Sequence, residues 1–233
     1  NSIDNIIIAA KNLKSKYLKE NDSYIEVVYG DFPGPAADSI ITECKYTLNL
    51  FGKYFGKEEN TYLKYVLAPF EKGGGYSRKN FISMRTKKFD YYTQSKGIAH
   101  EIAHFWWRKA NTTSWEDWLN ESFAEYSMLI YTRERFGIDK FNKQIEEYKD
   151  RSKNLPPIWG IDRNSNKAYS VIYEKGSVIL FELENKIGKD KFLSLLRKIA
   201  DNNICTTNDF LQLLEKETSG EARLWMEKQL KSA

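Results

Sequence analysis

Two histidines, four residues apart with a glutamate between them, have the residue types and spacing to carry chemistry. They are the only histidines in the 233-residue chain and lie in the motif His100-Glu101-Ile102-Ala103-His104. On a helix, residues four apart share one face about one turn from each other, so both imidazoles can reach one metal ion. Glu101 is displaced around the helix and can face the metal's open side without binding it. This arrangement is typical of sites where zinc activates water and a carboxylate takes its proton.

The same pattern also arises by chance in helices whose histidine and glutamate are merely solvated. The flanks of this motif argue against that interpretation. Residues 97–99 (Gly-Ile-Ala) precede it and residues 105–107 (Phe-Trp-Trp) follow it, so the helix is largely apolar. Imidazole and carboxyl groups on a buried helix need partners, and a metal ion is the partner that this spacing favours.

A third metal ligand is needed, because a catalytic zinc takes three protein ligands and keeps one position for water. The segment 115–125 contains Glu121 as a candidate, and sixteen residues lie between His104 and Glu121. This gap lets the motif helix end and a second helix return across it. Glu125 lies on the same helical face as Glu121 and could accept the second N–H of a ligating histidine. Taken alone, these residues together with Glu116 and Asp117 would be an ordinary acidic helix face.

The hydrophobic pattern predicts strands early in the chain and helices late. The predicted strands cover about residues 24–29, 62–68 and 80–85. The predicted helices cover about residues 2–19, 36–55, 91–110, 117–136, 139–151, 169–186, 189–201, 207–217 and 220–231. This order favours one α+β domain over residues 1–233, with a β-containing part at about 20–90 and a helical part at about 91–233.

Composition excludes several functional classes. The net charge is +4, with basic and acidic residues interleaved, so we expect no nucleic-acid partner. No apolar run is long enough to span a membrane. Cys44 and Cys205 are distant from each other and outside any C-x-x-C motif, which indicates neither a disulfide framework nor a cysteine zinc site. The chain starts at Asn1 rather than Met, which predicts a processed or excised piece of a longer protein.

Three motifs in this order resemble the catalytic domain of the M1 zinc aminopeptidases, which are gluzincins. The sequence H-E-I-A-H-F-W-W (100–107) resembles the family's H-E-L-A-H-Q-W, and W-L-N-E-S-F-A (118–124) resembles W-L-N-E-G-F-A. Y-E-K-G (173–176) resembles the family's Y-x-K-G. The resemblance covers about residues 24–230. It implies a thermolysin-like zincin fold, a small N-terminal sheet followed by a mostly helical subdomain.

The resemblance also implies roles for individual residues. Zn²⁺ would be bound by His100, His104 and Glu121, and Glu101 would be the general base. Tyr173, as the tyrosine of Y-x-K-G, would stabilise the transition state. The implied reaction is hydrolysis of peptide bonds in a peptide or protein substrate. Two alternatives stay open, a catalytically silent domain that binds zinc and peptide, and a hydrolase of a non-peptide substrate.

The chain departs from the family at the glycine-rich segment 73–76, where the family has its substrate-binding edge strand. Gly74 and Gly75 could be a flexible turn, or backbone made accessible so that substrate adds as a strand. Aligning the glycines with the family's G-x-M-E-N motif puts Tyr76 where a glutamate holds the substrate's α-amine. Ser122 replaces the glycine after the third ligand, and the gap of sixteen residues is shorter than in the family. The family's flanking β and helical domains are absent from this chain, which predicts that the full-length protein carries further domains.

Overall fold

The computed structural model describes residues 9, 11–20, 23–32, 34–57, 62–69, 74–86 and 88–233. Within this part of the chain, one five-stranded sheet is formed by β1 (Lys14–Glu20), β2 (Ser23–Tyr29), β3 (Tyr62–Pro69), β4 (Gly74–Arg78) and β5 (Phe81–Thr86). The spatial order is β1-β2-β3-β5-β4. The three central strands run parallel, and each edge strand is antiparallel to its neighbour. The glycine-rich strand β4 therefore forms one edge of the sheet.

One face of the sheet is covered by α1 (Gly34–Phe55), the helix that connects β2 to β3. Residues at alternate positions of a strand point to the same face. In β2, Ile25 and Val27 are buried in this way, and they join Ile40 and Phe51 of α1 in the core. This packing holds the sheet in place, and with it the edge strand β4 and the helix of the histidine motif that packs beside it.

The helical part begins with α2, which carries the histidine motif. Its α-helices are α2 (Tyr91–Ala103), α3 (Trp118–Phe136), α4 (Ile138–Ser152), α5 (Gly176–Ile187), α6 (Lys189–Asp201), α7 (Thr207–Glu217) and α8 (Gly220–Lys231). A short 3₁₀ helix, Trp115–Asp117, precedes α3, and a π-helix, Ser170–Lys175, precedes α5. The central helix α3 is buried along most of its length and packs against α2, α4 and α5. The predicted α+β architecture, with a small sheet early and helices late, is confirmed.

The predicted helix at residues 2–19 is wrong where the structure describes it. Residues 1–8 and 10 lie outside the described part, but Lys14–Glu20 is strand β1. The isoleucine spacing that suggested a helix lies entirely within residues 3–8, before this strand. Lys14 and Lys19 are exposed side chains of this edge strand, where such residues discourage further strand pairing. Tyr17 of β1 stacks on Tyr24 of β2 at a ring-centroid distance of 5.9 Å.

Two helix boundaries also differ from the prediction. The motif helix was expected to reach residue 110, but α2 ends at Ala103. The aromatic residues that follow are held by other elements, because the Trp106 indole donates to the Gly56 carbonyl (3.0 Å) and the Trp107 indole donates to Ser127 Oγ (2.9 Å). The segment predicted as one helix at 169–186 begins with a π-helix. A π-helix differs from an α-helix in its hydrogen-bond pattern, which the apolar residues of the sequence do not reveal.

Among the described residues, none of the helices combines the length and the apolar character needed to cross a bilayer.

Candidate active site

Helix α2 presents the two histidines side by side. Their ring centroids are 5.0 Å apart, as expected for positions i and i+4. His104 Nδ1 lies 2.9 Å from the Trp107 carbonyl oxygen, and His100 Nδ1 lies 2.7 Å from Glu125 Oε2. Both Nδ1 atoms therefore face an acceptor, which places their protons there and leaves both Nε2 atoms as electron-pair donors.

Glu121 of α3 completes a three-residue cluster. Its Oε2 lies 3.4 Å from Nε2 of His100 and 3.4 Å from Nε2 of His104. The three donor atoms all lie within 4.8 Å of one another, which is close enough to bind one cation. Glu121 Oε2 is buried and makes no hydrogen bond with any residue that the structure describes. A buried carboxylate oxygen aimed at two imidazole nitrogens without a hydrogen bond fits a metal ligand.

The electrostatics of the cluster favour a bound cation. Burial alone would raise the pKa of Glu121, but the two imidazoles hold it well below its ordinary value. Burial alone would lower the pKa of both histidines, and the neighbouring carboxylates outweigh it and raise the pKa of both. The pKa shifts of Glu121 and of the two histidines have one cause. The site stabilises positive charge between these side chains, whether that charge comes from protons or from a metal ion.

The loop between α2 and α3 returns the chain so that Glu121 meets the histidines. Asn120 holds this loop, since its side chain accepts from the Ala110 N–H (3.1 Å) and donates to the Ala110 carbonyl (3.1 Å). It also donates to Asp117 Oδ1 (2.9 Å), and Asp117 Oδ2 accepts from Arg163 Nε (2.8 Å). Asn120, the residue directly before Glu121, thus fixes the conformation of the loop that brings Glu121 back to the histidines.

Glu101 lies between the cluster and the edge strand. It is only 8% exposed, and a Cβ placed on Gly75 would come within 1.9 Å of its Oε1. A side chain at this position of β4 would displace the Glu101 carboxylate and the Met84 sulfur from the places they occupy here. Ser77 Oγ donates to the Glu101 carbonyl oxygen at 2.8 Å and fixes the strand to the helix. Burial raises the pKa of Glu101, although the nearby histidines oppose the shift. A higher pKa strengthens the carboxylate as a base.

Tyr173 stands over the cluster on the π-helix. Its ring stacks on the His100 imidazole at a centroid distance of 5.9 Å with an interplanar angle of 10°, and it also stacks on the Tyr169 ring at 4.4 Å. Burial, followed by the charge of Glu121, raises the pKa of the Tyr173 phenol well above its ordinary value. The phenol is therefore a stable hydrogen-bond donor that does not ionise near neutral pH.

The two histidines, Glu101, Glu121, Glu125 and Tyr173 line one open cleft of about 820 Å³. The cleft runs from strand β4 across α2 to the π-helix, and Gly74, Gly75 and Tyr76 form its β4 wall. Tyr76 is 36% exposed and carries the Arg78 guanidinium 4.3 Å from its ring centroid. The structure thus brings all nine residues selected from the sequence to one cleft.

A comparison of the sequence with protein-family models identifies the family of this chain. Residues 79–231, about two thirds of the chain, match the peptidase family M1 domain. The chain belongs to peptidase family M1. The family assignment agrees with the resemblance inferred from the three motifs.

The M1 chain is also similar to individual relatives. Leucine aminopeptidase 2 of Emericella nidulans is 36% identical over 112 residues, which is 41% of this chain and 18% of the relative. Aminopeptidase N of Streptomyces lividans is 25% identical over 184 residues, or 70% of this chain and 21% of the relative. The matched segments thus span about a fifth of these relatives.

Solved structures share the fold of this M1 chain at low identity. The M1 zinc metallopeptidase of Deinococcus radiodurans superposes with a TM-score of 0.76 at 18% identity, over 94% of this chain and 52% of that one. Legionella pneumophila aminopeptidase A, in complex with aspartic acid, superposes with a TM-score of 0.73 at 16% identity, over 95% of this chain and 28% of that one. These likenesses establish the fold alone.

Ser122, where the M1 pattern has a glycine, makes a contact that the sequence did not reveal. Its buried Oγ donates to the Ile172 carbonyl in the π-helix at 2.5 Å. It also fills the space beside Gly176, since a Cβ there would lie 1.9 Å from Ser122 Oγ. The residue after Glu121 is thereby bonded to the residue before Tyr173. This hydrogen bond joins the helix of the third metal donor to the element that carries the phenol.

Tyr148 of α4 is a second residue that the sequence did not single out. Its hydroxyl donates to Glu125 Oε1, while Glu125 Oε2 faces His100 Nδ1. Glu125 is therefore held from both sides. Tyr148 lies 23 positions after Glu125, and the contact depends on how α4 packs on α3, so no local sequence pattern signals it.

Proposed function

We propose that this chain is the catalytic part of a zinc-dependent metallopeptidase that hydrolyses peptide bonds. The observation that carries the proposal is the buried Glu121 oxygen aimed at two imidazole nitrogens, with Glu101 and Tyr173 on either side of it. Two imidazoles and one carboxylate are a donor set that catalytic zinc sites use. Membership of peptidase family M1 and the aminopeptidase names of the relatives support the same reaction.

Each residue then has a distinct task. His100, His104 and Glu121 would bind zinc, which lowers the pKa of a water molecule to about 7 and polarises the substrate carbonyl. Glu101 takes the proton of the attacking water and delivers it to the leaving amine. Tyr173 donates its phenolic hydrogen to the oxyanion that forms on the carbonyl oxygen. Glu125, held by Tyr148, lies 2.7 Å from His100 Nδ1 and would fix the orientation of that imidazole.

Strand β4 binds the substrate backbone in this proposal. Gly74 and Gly75 are exposed at the sheet edge and bear no side chain that would block an added strand. A peptide pairing with this edge would lie beside Glu101, because that carboxylate lies against Gly75. The scissile carbonyl could thereby be presented to the metal centre.

The metal assignment predicts about one zinc ion per chain. We expect His104→Ala to lose most of its zinc, since removing a ligand should weaken binding by more than the roughly 10–100-fold that loss of an outer partner costs. Elemental analysis of the purified protein measures this directly. A digest of a peptide library, with and without chelator, should show hydrolysis that depends on the metal.

Cys205→Ser is the control, because Cys205 is an exposed thiol that could bind zinc nonspecifically. It should leave zinc content and hydrolysis unchanged. Undiminished zinc in His104→Ala would contradict the ligand assignment. Failure of the zinc-loaded protein to cleave any library peptide would instead favour a domain that binds zinc and peptide without catalysis.

The cleft should accept peptides whose amino terminus is blocked. Four carboxylates line it within the described residues, and each already has a contact or a proposed role. Glu121 and Glu101 belong to the metal centre, Glu125 is held by Tyr148 and His100, and Asp117 is bonded to Arg163. A neutral phenol at Tyr76 cannot replace a charge-assisted bond to an ammonium group. We therefore expect matched free and N-acetylated peptides to be cleaved with similar kcat/KM.

Tyr76→Glu tests the same argument in the opposite direction. A restored carboxylate should favour the free amine by about 1.5–3 kcal/mol, or roughly 10–100-fold in kcat/KM. Tyr76→Phe is the matched control and should behave as the wild type. Strict dependence of the wild-type enzyme on a free amino terminus would contradict the prediction and would point to an ordinary aminopeptidase.

A further inference from the structure

One end of the cleft forms a subsite beyond the metal cluster. Along α2, Lys96 precedes His100 by four residues and so lies on the same helical face, one turn earlier. Along α3, Met128 follows Glu125 by three residues and also lies one turn further on. Between the two helices, Glu125 of α3 faces His100 of α2. Lys96, Met128 and Tyr148 line the cleft here, and we call this the Lys96 subsite.

Lys96 is a half-buried ammonium that forms no ion pair with any residue in the described part of the chain. Its Nζ donates to Gln144 Oε1 at 2.9 Å and lies 4.8 Å from the Tyr92 ring centroid. Within the described part of the chain, no carboxylate comes within the 4.0 Å of an ion pair with Lys96. Burial lowers the pKa of this lysine below its ordinary 10.5. An ammonium group has three N–H donors, so the bond to Gln144 leaves donors for a ligand in the cleft.

The carboxylate nearest in the site cannot take this role. Glu125 acts on Lys96 through its charge, yet its Oε1 accepts from Tyr148 and its Oε2 faces His100. Turning Glu125 toward Lys96 would break the contact that orients His100. The charge of Lys96 is therefore best neutralised by a group that enters the cleft from outside. Met128 and Tyr148 supply apolar walls for the carbon chain that would carry that group.

We propose that Lys96 binds a carboxylate of the peptide substrate and gives the enzyme a preference for an acidic group in the Lys96 subsite. This inference rests on the proposed peptidase function and deepens it, because it names the substrate class. The carboxylate can come from a glutamate or aspartate side chain, or from the carboxyl terminus of a short peptide. A partly desolvated ammonium forms a stronger ion pair than an exposed lysine does.

The test compares peptides that differ in one charge. A fluorogenic set with Glu, Gln or Lys at each position around the cleaved bond, each made with a free or an amidated carboxyl terminus, is assayed with wild-type enzyme and Lys96→Met. We expect a preference for Glu over Gln at one position, or for the free over the amidated terminus, of about tenfold or more. Lys96→Met should abolish that preference, measured as the ratio of kcat/KM for each acidic peptide to kcat/KM for its neutral counterpart.

Lys140→Met is the matched control, because Lys140 also lies over the Tyr92 ring, at 5.6 Å, but does not line the cleft. It should keep the acidic preference. Fluorescence anisotropy of the same peptides on Glu101→Gln protein measures binding without cleavage and should show the same dependence on Lys96. Thermal melting identifies a Lys96→Met protein that is not folded, and Lys96→Gln then replaces it.

The outcomes separate the two proposals. The role of Lys96 is wrong if the wild-type enzyme cleaves the Glu and Gln peptides equally and also cleaves the free and amidated peptides equally. It is also wrong if an acidic preference survives in Lys96→Met. In both cases the proposed peptidase function still stands. If no peptide is cleaved by the wild type and none binds to the Glu101→Gln protein, the proposed function is wrong and the substrate preference is wrong with it.

Discussion

Glu101→Gln should abolish peptide hydrolysis while zinc stays bound. Glutamine has nearly the same shape as glutamate but cannot take the proton of the attacking water. General-base catalysis typically contributes about 10²–10⁴-fold to the rate, so we expect a loss of kcat in that range. The zinc content should not change, because Glu101 lies against Gly75 and is not one of the three clustered donors. Steady-state kinetics together with elemental analysis measure both quantities.

The environment of Glu101 makes this substitution informative. The carboxylate is buried, and its pKa is raised by burial, so its proton affinity depends on the fold around it. The amide introduced by the substitution would occupy the same space beside Gly75, which keeps the strand and the helix in place. Glu146→Gln, an exposed change on α4, is the control and should leave kcat unchanged. Turnover of Glu101→Gln near the wild-type rate would show that another group takes the proton.

The metal cluster could be predicted from the sequence because its geometry is largely local. Helical periodicity alone places His100 one turn from His104, and it places Glu121 one turn from Glu125. The remaining step, the return of α3 across α2, was inferred from the length of the gap between them. The structure brings these four residues together as that inference required.

Contacts between distant elements could not be predicted in the same way. Tyr148 reaches Glu125 only because α4 packs on α3, and Ser122 reaches Ile172 only because the chain forms a π-helix there. In the sequence, Ser122 stood out as a departure from the family's glycine, with no indication of what it contacts. The error at β1 has a related cause, since pairing with β2 determines the conformation of a segment whose own pattern is weak.

Tyr173 depends both on a local sequence motif and on contacts between distant elements. Its identity follows from a local motif, but its position depends on one local contact and two distant ones. The ring of Tyr169, one turn earlier, stacks on it, the His100 ring of α2 stacks on it as well, and the bond from Ser122 to Ile172 fixes the backbone. Tyr173 is therefore held over the cluster before any substrate binds. A donor placed in advance does not have to be reorganised during the reaction, which is why such groups contribute strongly to catalysis.

Tyr173→Phe should consequently lower kcat strongly and leave KM nearly unchanged. In the proposed mechanism the phenol acts on an oxyanion that exists only in and after the transition state, so its loss should not weaken binding of the ground state. Removing one such donor typically costs about 10²–10³-fold in kcat, or about 2.7–4 kcal/mol. The phenylalanine ring keeps the stack between His100 and Tyr169, so the change is confined to the hydroxyl group. Steady-state kinetics on one fluorogenic peptide separate kcat from KM.

Tyr169→Phe is the matched comparison, because it removes a hydroxyl from the adjacent ring of the same stack. Tyr169 is 59% exposed, and its phenol, whose pKa burial raises to about 12, is influenced mainly by Glu125 and Glu174 rather than by Glu121. Its loss should cost only a few-fold in kcat. A large rise in KM with unchanged kcat in Tyr173→Phe would assign that phenol to substrate binding instead. Equal losses in both variants would mean that the hydroxyl groups act through the stack and not on the oxyanion.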